Sequence, residues 1–447
     1  SFDLNSLYPH LIMQYNISPE TLQDTRHPSA TVDKILNEEL TFEMYKDNAV
    51  CANGAMYRKD VRGFLPELME KIYKDRTIYK KKMLQAKQDY EKTPTKALEK
   101  EIARCNNIQM ARKIQLNSAY GAIGNQYFRY YKLANAEAIT LSGQVSIRWI
   151  ENKMNQYLNK LLSTTEEDYV IASDTDSIYL NLGPLVDKFF SNKSGDKTAI
   201  VGLLDKICQD KFEPFIDKSY QELASYVSAY DQKMQMKREN IAERGIWTAK
   251  KRYILNVWNS EGVQYSEPKL KMMGIEAVKS STPAPCRKMI KDGLKLMMSG
   301  TEEDVIDFID RCRVEFKKLP PEDIAFPRSV SDVVKYKSHS NIYAKGTPIH
   351  ARGALLFNHH IKDKKLTNKY SLIANGEKIK FLYLKKPNII HENVISFIQD
   401  FPHELGLDKY IDYDLQFEKS FVEPLKAILD AIGWNVEKTV NLELFFA

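Results

Sequence analysis

Apolar and polar residues follow two different periods along this chain, and the periods divide it into helical and extended segments. Residues 67–92 and 96–125 carry the long, charge-rich pattern of two helices. They are separated at "KTPTK" by Pro94, a residue that breaks helices. Residues 134–162 show the spacing of a third long helix. These three segments predict a large helical contribution to the fold.

The extended segments lie mainly between and after these helices. The run "DYVIASDTDSIYLNL" predicts two short strands around a tight turn, and "KKRYILNVWN" and "KIKFLYLKK" predict further strands. From "KSSTPAPCRKMI" onward the pattern is helical again, with Ser281 or Thr282 as the expected cap and Pro283 near the first turn. The pattern therefore predicts a mixed α/β texture.

Composition narrows the class of protein. The 447 residues suggest two to four domains or subdomains, and the net charge of +6 is compatible with a polyanionic partner. Five cysteines without a CxxC pair indicate a reducing compartment and no zinc module. With no signal peptide and no membrane-length apolar run, we expect a soluble, cytoplasmic protein without a membrane partner. Since Ser1 already stands inside an apolar stretch, we expect a piece of a longer or split protein.

The two charged helices hold a candidate phosphate site. Residues 67–115 contain thirteen Lys and Arg against seven Asp and Glu, and for most of these lysines a solvated, salt-bridged surface is the expectation. Arg76 and Lys80 stand one turn apart on the first helix. One face of the second helix combines a cation, an amide, an aromatic ring and a glycine: Lys113, Asn117, Tyr120 and Gly124. Two such rows on a helical hairpin predict a clamp for a phosphate chain.

Asp174 and Asp176 stand one residue apart inside an apolar run. A polar β-turn is one reading. An EF-hand calcium loop is excluded because Ile178 and Tyr179 occupy positions that such a loop reserves for a ligand and a glycine. Asp3 in "SFDLNSLYPHLI" is a second carboxylate in a similar setting, which favours a Mg²⁺ site made by few carboxylates, water and substrate phosphates. Two such ions would suit phosphoryl transfer.

Three motifs, "DLNSLYPHLI", "KIQLNSAYGAIGN" and "SDTDSIYL", resemble in order and spacing motifs A, B and C of the family B DNA polymerases. The runs "AKKRYILNV" and "PKLKMMGIEAVKSSTP" resemble the family's basic strand and its palm-to-thumb passage. Further runs, among them "QYNISPETL" and "EKSFVEPLK", are similar to the replicative polymerases of T-even-type bacteriophages. The resemblance extends over essentially the whole chain.

The resemblance implies an α+β fold of right-hand architecture, with an antiparallel palm sheet, two-helix fingers and a mostly helical thumb. The palm would comprise residues 1–65 and 126–283, the fingers 66–125 and the thumb 284–447. It also implies a separate or missing N-terminal exonuclease segment, because the acidic cluster of a proofreading nuclease is not found in the sequence.

Roles at the catalytic centre follow from the same resemblance. Asp3 and Asp176 match the metal-bridging carboxylates, the Leu4 backbone carbonyl would be a further metal ligand, and Asp174 matches a third acidic position. Glu239 aligns with an acidic position near this site, with a helix-surface glutamate as the equal alternative. The dNTP would be bound by residues of three segments: Ser6, Leu7 and Tyr8 along triphosphate and sugar, Arg76, Lys80, Lys113 and Asn117 on the triphosphate, and Tyr120 and Gly121 against the nascent base pair.

Two further surfaces are implied. Lys250, Lys251, Arg252 and Tyr253 would follow the minor groove and the primer strand, and Leu442, Leu444, Phe445 and Phe446 would dock on a sliding clamp. The expected activity is template-directed DNA synthesis with two Mg²⁺ ions, in which Lys113 protonates the leaving pyrophosphate. The alternative is a catalytically weak or inactive, clamp-tethered half that needs a separate exonuclease chain.

Overall fold

The computed structural model describes residues 1–190, 196–338 and 341–437. The chain divides into two compact units, residues 1–243 with 257–269, and residues 244–256 with the described residues from 270 onward. The four expected clamp-binding residues, Leu442, Leu444, Phe445 and Phe446, lie outside the described residues. Nowhere in the described ranges is a helix long and apolar enough to cross a membrane.

The strands are short except for three consecutive ones. They are β1 (Phe2–Leu4), β2 (Leu22–Arg26), β3 (Asn48–Val50), β4 (Ala55–Arg58), β5 (Val170–Asp174), β6 (Ser177–Leu180), β7 (Met236–Arg238), β8 (Asn240–Ala249), β9 (Arg252–Ser260), β10 (Val263–Met273), β11 (Phe326–Ser329), β12 (Lys378–Tyr383) and β13 (Val394–Phe397).

The α-helices include three of about thirty residues. They are α1 (Leu7–Gln14), α2 (Val32–Leu36), α3 (Phe64–Lys92), α4 (Lys96–Ile123), α5 (Leu133–Leu162), α6 (Gly183–Phe190), α7 (Lys197–Ile207), α8 (Glu213–Tyr226), α9 (Ala284–Ser299), α10 (Glu302–Phe316), α11 (Pro321–Ile324), α12 (Ile349–Asp363), α13 (Tyr413–Phe417) and α14 (Glu423–Leu429).

An antiparallel sheet in the order β5-β6-β1-β7 organises the first unit. Phe2 of β1 pairs with Ile178 of β6, and Phe2, Leu4 and Ile178 are almost fully buried. Because side chains alternate across a strand, burying Phe2 and Leu4 turns Asp3 toward the opposite face. The long helix α5 packs against β5 and β6. The apolar pattern of a three-residue strand therefore fixes the direction of a carboxylate.

The helices α3 and α4 form the predicted hairpin. Helix α3 ends at Lys92, just before Pro94, and the Thr95 hydroxyl caps α4 by accepting a hydrogen bond from the Leu98 amide at 3.2 Å. The helix boundaries predicted from the sequence are confirmed to within three residues. Gly124 is the C-cap residue of α4 rather than part of its body.

Other predicted elements are also observed, with one exception. The strands around the "SDTDS" turn, the helix over residues 134–162 and the strands in "RYILNVWN" and "KIKFLY" are all present. The predicted cap of α9 is wrong, because Pro283 is the N-cap residue and no side chain caps this helix. Helix α9 starts instead from the fixed backbone of Pro283 and a second proline in its first turn.

The second unit has a separate aromatic-rich core. Its largest fully buried side chains include Phe316, Phe357, Phe397, Phe401 and Phe417. The unit contains α9, α10 and α12 together with the antiparallel sheet β11-β12-β13. The region expected to be a mostly helical thumb therefore also holds a three-stranded sheet. Helix α12 packs against β13 at a glycine, Gly353.

We expect Gly353→Ala to lower the free energy of unfolding by about 1–3 kcal/mol. A Cβ atom there would lie 2.3 Å from the Ser396 Oγ and 2.9 Å from the Ser396 backbone nitrogen. Ser396 cannot move easily, because it is buried and its hydroxyl donates to the His350 carbonyl at 2.9 Å. Gly202→Ala, in α7, is the control: no atom lies within 4 Å of its Cβ, and we expect a gain of about 0.5–1 kcal/mol. Urea denaturation measures both; equal effects would contradict the close approach.

The five cysteines are free and buried. Burial raises the pKa of every thiol, to about 12 for Cys208 and to about 11 for Cys286 and Cys312. A thiol that stays protonated is a poor nucleophile and a poor metal ligand. The cysteines of this chain therefore behave as small apolar core residues.

Candidate active site

Two paired strands bring the predicted carboxylates together. Asp3 of β1 is the register partner of Ser177 of β6, and the Leu4 amide donates to the Asp176 carbonyl at 2.7 Å. Asp174 is the last residue of β5. The pairing joins segments more than 170 positions apart, so the three aspartates lie at one end of the same sheet.

The turn between β5 and β6 is tight and strained. The Asp176 amide donates to the Asp174 carbonyl at 2.6 Å, and Thr175 between them has a φ of 57°. A positive φ is rare for a β-branched residue and costs on the order of 1–3 kcal/mol. The Thr175 hydroxyl compensates in part by donating to the Asp174 carboxylate at 2.9 Å. The predicted turn is confirmed, and it keeps both aspartates at its tip.

Asp176 lies in an environment that opposes its own negative charge. Burial raises the pKa of Asp176, the nearby charges of Asp174 and Glu239 raise it further, and only Lys113 acts in the opposite direction among the other residues. Lys113 is exposed on α4. Accumulated carboxylate charge of this kind fits a bound cation.

The carboxylate oxygens suit a hard divalent ion, but protein side chains alone would not complete its coordination. Across the described part of the chain, no group of three or more His, Cys, Asp or Glu side chains is arranged to hold a metal ion. Mg²⁺ is usually held by one or two carboxylates, with water and substrate phosphates as the remaining ligands. Asp3 on β1 and Asp176 in the adjacent β5–β6 turn match this requirement through their oxygen donors.

Ser6 is held in an unusual backbone conformation at the start of α1. It has a φ of 48°, and its hydroxyl accepts a hydrogen bond from the Arg76 guanidinium of α3. His10 donates its Nδ1 hydrogen to the Ser6 carbonyl at 3.0 Å. Burial lowers the pKa of His10 to about 4, so the ring is neutral at physiological pH. A cation and a neutral imidazole thus fix Ser6 from two sides.

Tyr8 lies between two elements. Its ring is 4.5 Å from the Tyr120 ring of α4, centroid to centroid, with the planes inclined at 43°. On α5, a Cβ atom at Gly143 would lie 3.8 Å from the Tyr8 Cε1 atom, an ordinary van der Waals distance, so α5 passes close to the ring. Burial raises the pKa of the Tyr8 hydroxyl, as does the proximity of Tyr120 and Asp176. Tyr8 is therefore a neutral ring in a defined position.

The remaining expected nucleotide-binding residues differ in their exposure and in their partners. Asn117 and Gly121 are exposed on α4, while the Leu7 side chain is almost fully buried in the core, so that only its backbone could line a ligand. The Arg76 Nε atom is buried and makes no hydrogen bond with any described residue. Lys80 forms an ion pair with Glu261, 2.5 Å from Nζ to the carboxylate oxygen.

A cavity of about 450 Å³ opens beside Asp3. Its lining includes Glu239, which the resemblance aligned with an acidic position near this site, and Glu261, which sequence reasoning missed. Glu239 lies between β7 and β8, so the helix-surface alternative for it is wrong. Glu261 forms the turn between β9 and β10. The "SEGV" sequence could have indicated a hairpin turn, but nothing in it indicates proximity to Lys80.

The basic run expected to follow DNA belongs to the second unit, and its four residues differ in accessibility. Lys250 and Lys251 are exposed and form the turn between β8 and β9 rather than part of a strand. The two terminal guanidinium nitrogens of Arg252 each donate a hydrogen bond to the Glu276 carboxylate at 2.8 Å. Tyr253 is only 6% exposed. Lys250 and Lys251 therefore carry the accessible charge of this run.

Comparison with known proteins agrees with the geometry. Residues 1–199 match the model of the family described as DNA polymerase family B. The DNA-directed DNA polymerase of Escherichia phage RB69 is 34% identical over 99% of this chain. The enzyme of Enterobacteria phage T4 is 32% identical over the whole chain, and the DNA polymerase of Thermococcus gorgonarius is 24% identical over 97% of it.

The chain spans about half the length of these relatives. The alignments cover 54% of the phage RB69 protein, 55% of the phage T4 protein and 45% of the Thermococcus protein. The similarity therefore extends through both compact units of this chain, and each relative contains a further segment of comparable length.

Proposed function

Because this chain belongs to the family B DNA polymerases, we propose that it catalyses template-directed DNA synthesis, in which a primer 3′-hydroxyl attacks the α-phosphorus of a dNTP. One observation carries the proposal: strand pairing brings Asp3 beside the turn that holds Asp176, and the charge of Lys113 on the helical hairpin acts on the Asp176 carboxylate. Opposed anionic and cationic groups around an open site fit phosphoryl transfer, where catalysis is mainly positioning and charge stabilisation.

The domain boundaries of the proposal follow the family pattern. The palm comprises residues 1–65 and 126–283, the fingers residues 66–125 and the thumb residues 284–447. The α3–α4 hairpin supports the fingers assignment, since its helices run from Phe64 to Ile123. The first compact unit contains the proposed fingers and most of the proposed palm.

Asp3, Asp176 and the Leu4 carbonyl are the groups that would hold Mg²⁺, which would stabilise the attacking and leaving oxygens as a Lewis acid. The remaining work belongs to protein side chains. Lys113, with Asn117, Arg76 and Lys80, binds the triphosphate, and Lys113 gives a proton to the departing pyrophosphate oxygen. Ser6 and the Leu7 backbone line the triphosphate and sugar.

Two aromatic residues select the nucleotide. Tyr8 lies beneath the sugar, and its contact with Tyr120 at a centroid distance of 4.5 Å supports a rigid floor there. Tyr120 and Gly121 face the nascent base pair, where a mismatched shape would collide with them. Since Tyr8 stays uncharged, it acts through its volume rather than through a charge.

A primer-extension assay with Mg²⁺ tests the proposal. The purified chain should extend a primer only with the nucleotide complementary to the next template base. Extension that ignores the template, or none at all with all four dNTPs, would contradict it. The proposed partners are primer-template DNA, dNTP and a sliding clamp that receives the C-terminal residues Leu442, Leu444, Phe445 and Phe446.

We expect Lys251→Ala to weaken DNA binding and to reduce the slope of log K against log salt by about 1, because one phosphate contact is lost. Lys251 is exposed in a hairpin turn. Lys426→Ala, at an exposed position of α14, is the matched control and should leave the slope unchanged. Fluorescence anisotropy at several salt concentrations measures both, and an unchanged slope for Lys251→Ala would remove this lysine from the DNA site.

A further inference from the structure

Lys80, one of the proposed triphosphate ligands, already has an anionic partner inside the protein. Its Nζ atom lies 2.5 Å from a carboxylate oxygen of Glu261. The two side chains are 29% and 32% exposed, so the pair is partly shielded from water. The contact joins residues 181 positions apart, and it links α3 to the turn between β9 and β10.

The backbone of the turn that carries Glu261 is held in place. Glu261 and Gly262 have φ values of 50° and 87°, as in the two-residue turns that close tight hairpins. The Glu261 amide donates to the Glu239 carbonyl at 2.6 Å, and the Gly262 amide donates to the Asn259 side chain at 3.2 Å. An uncommon backbone conformation that is fixed by two hydrogen bonds gives the Glu261 side chain a defined starting point, and its carboxylate contacts Lys80.

Arg76 lies one helical turn before Lys80, and not all of its hydrogen-bond donors have a partner within the described residues. Burial lowers the pKa of Arg76, while Glu261 and Asp3 are among the groups that favour its charged form. Its buried Nε atom has no hydrogen-bond partner in the described part of the chain. The open cavity of about 450 Å³ beside Lys80 and Glu261 also reaches Asp3. Lys80 therefore lines a space that can admit an anion larger than one carboxylate.

We propose that Glu261 is an internal competitor of the substrate: it neutralises Lys80 while the site is empty, and the triphosphate must displace it to bind. This inference rests on the proposed function, since it assigns Lys80 to the triphosphate. An ammonium group can rotate toward the triphosphate only by giving up the Glu261 carboxylate. Glu261 thus lowers the affinity for every polyphosphate, including the pyrophosphate product.

A second ion pair between the same two elements supplies a matched control. Lys269 of β10 lies 2.7 Å from Glu91 of α3, with its ammonium 3.9 Å above the Tyr265 ring. Glu91→Gln removes a link between α3 and the hairpin but leaves Lys80 neutralised. If Glu261 acted only by fastening α3 to the hairpin, Glu91→Gln and Glu261→Gln would have the same effect.

The experiment compares these variants with primer-template DNA bound. For Glu261→Gln we expect the apparent dNTP dissociation constant in single-nucleotide insertion to fall about two- to fivefold, the range of a partly exposed ion pair. The inhibition constant of inorganic tripolyphosphate should fall by a similar factor, while Glu91→Gln changes neither. An unchanged or higher dissociation constant for Glu261→Gln, or equal changes in both variants, would overturn the proposal.

A double-mutant cycle and a binding measurement remove the remaining ambiguity. In a Lys80→Gln background, Glu261→Gln should no longer improve affinity, because the competition has no cation to act on. Persistence of the full effect would contradict the assignment to Lys80. Calorimetric titration of tripolyphosphate needs no turnover, so it tests the role of Glu261 even if primer extension fails and the proposed function falls. Thermal melting curves verify that each variant is folded.

Discussion

Asp176→Asn should reduce primer extension by roughly 10²–10³-fold, the loss that follows removal of one charge-stabilising group from an active site. Asn keeps the shape of the side chain but removes the anionic oxygen that the proposed metal site needs. DNA affinity should be unchanged, because affinity comes mainly from Lys and Arg on phosphates. The expected result is therefore a protein that binds primer-template and does not extend it.

The same substitution should not destabilise the protein. Burial, Asp174 and Glu239 raise the pKa of Asp176, so at pH 7 the ionised carboxylate is less favourable in the folded chain than in the unfolded one. Folding therefore costs free energy at this position above the unfolded pKa, and a neutral Asn removes that cost. We expect a melting temperature equal to or above that of the unmodified protein. Active-site residues often lower the stability of the folded protein, so replacing one can raise it.

Primer extension, anisotropy and thermal melting of the same preparation test this prediction together. Asp24→Asn, at an exposed position of β2, is the control and should keep full activity. Near-normal extension by Asp176→Asn would exclude the carboxylate from catalysis. A large drop in melting temperature would instead mean that the charge stabilises the fold.

Tyr8→Ala should increase the incorporation of ribonucleotides relative to deoxyribonucleotides by about tenfold to a hundredfold. Overpacking a filled site costs about 1–3 kcal/mol, and a 2′-hydroxyl would have to enter the volume of the Tyr8 ring. The ring cannot move away easily, since the Tyr120 ring contacts it at a centroid distance of 4.5 Å and α5 passes close to it at Gly143. Removal of the ring opens space without changing charge, because the hydroxyl is neutral.

The control is Tyr8→Phe, which keeps the ring and loses only the hydroxyl. Single-nucleotide insertion kinetics with matched dNTP and rNTP pairs give kcat/KM for each variant. Discrimination should remain high for Tyr8→Phe and decrease for Tyr8→Ala. Equal discrimination in Tyr8→Ala and the unmodified protein would mean that another group excludes the 2′-hydroxyl.

Local sequence signals predicted much of the fold. Pro94 and the capping Thr95 divide α3 from α4 within four residues, so neighbouring side chains determine the boundary. The strands around Thr175 were predicted for the same reason, since an apolar run on both sides of a polar turn has few alternatives. The family resemblance then supplied site roles that spacing alone left open between a polar turn and a metal site.

Long-range pairing accounts for what the sequence did not reveal. Glu261 contacts Lys80 only because the β9–β10 hairpin reaches α3. Secondary-structure propensities do not predict which elements come into contact in the fold. Arg252 belongs to a basic run that indicates a DNA contact, yet Glu276 occupies its guanidinium. Glu239 stands in a charged, helix-like sequence but connects two strands. In each case, residues that are distant in the sequence determine the environment of the side chain, and the neighbouring sequence does not reveal them.

Because the native cysteines are buried, a single cysteine introduced on the helical hairpin could be labelled selectively with a fluorescent dye. Maleimide dyes react with thiolates, and the five native thiols are buried with raised pKa values. A cysteine introduced at an exposed position of α3, such as Gln88→Cys, would therefore be labelled in preference to all of them. A fluorophore there can follow single molecules as nucleotide binds, in a chain that retains every native residue but one.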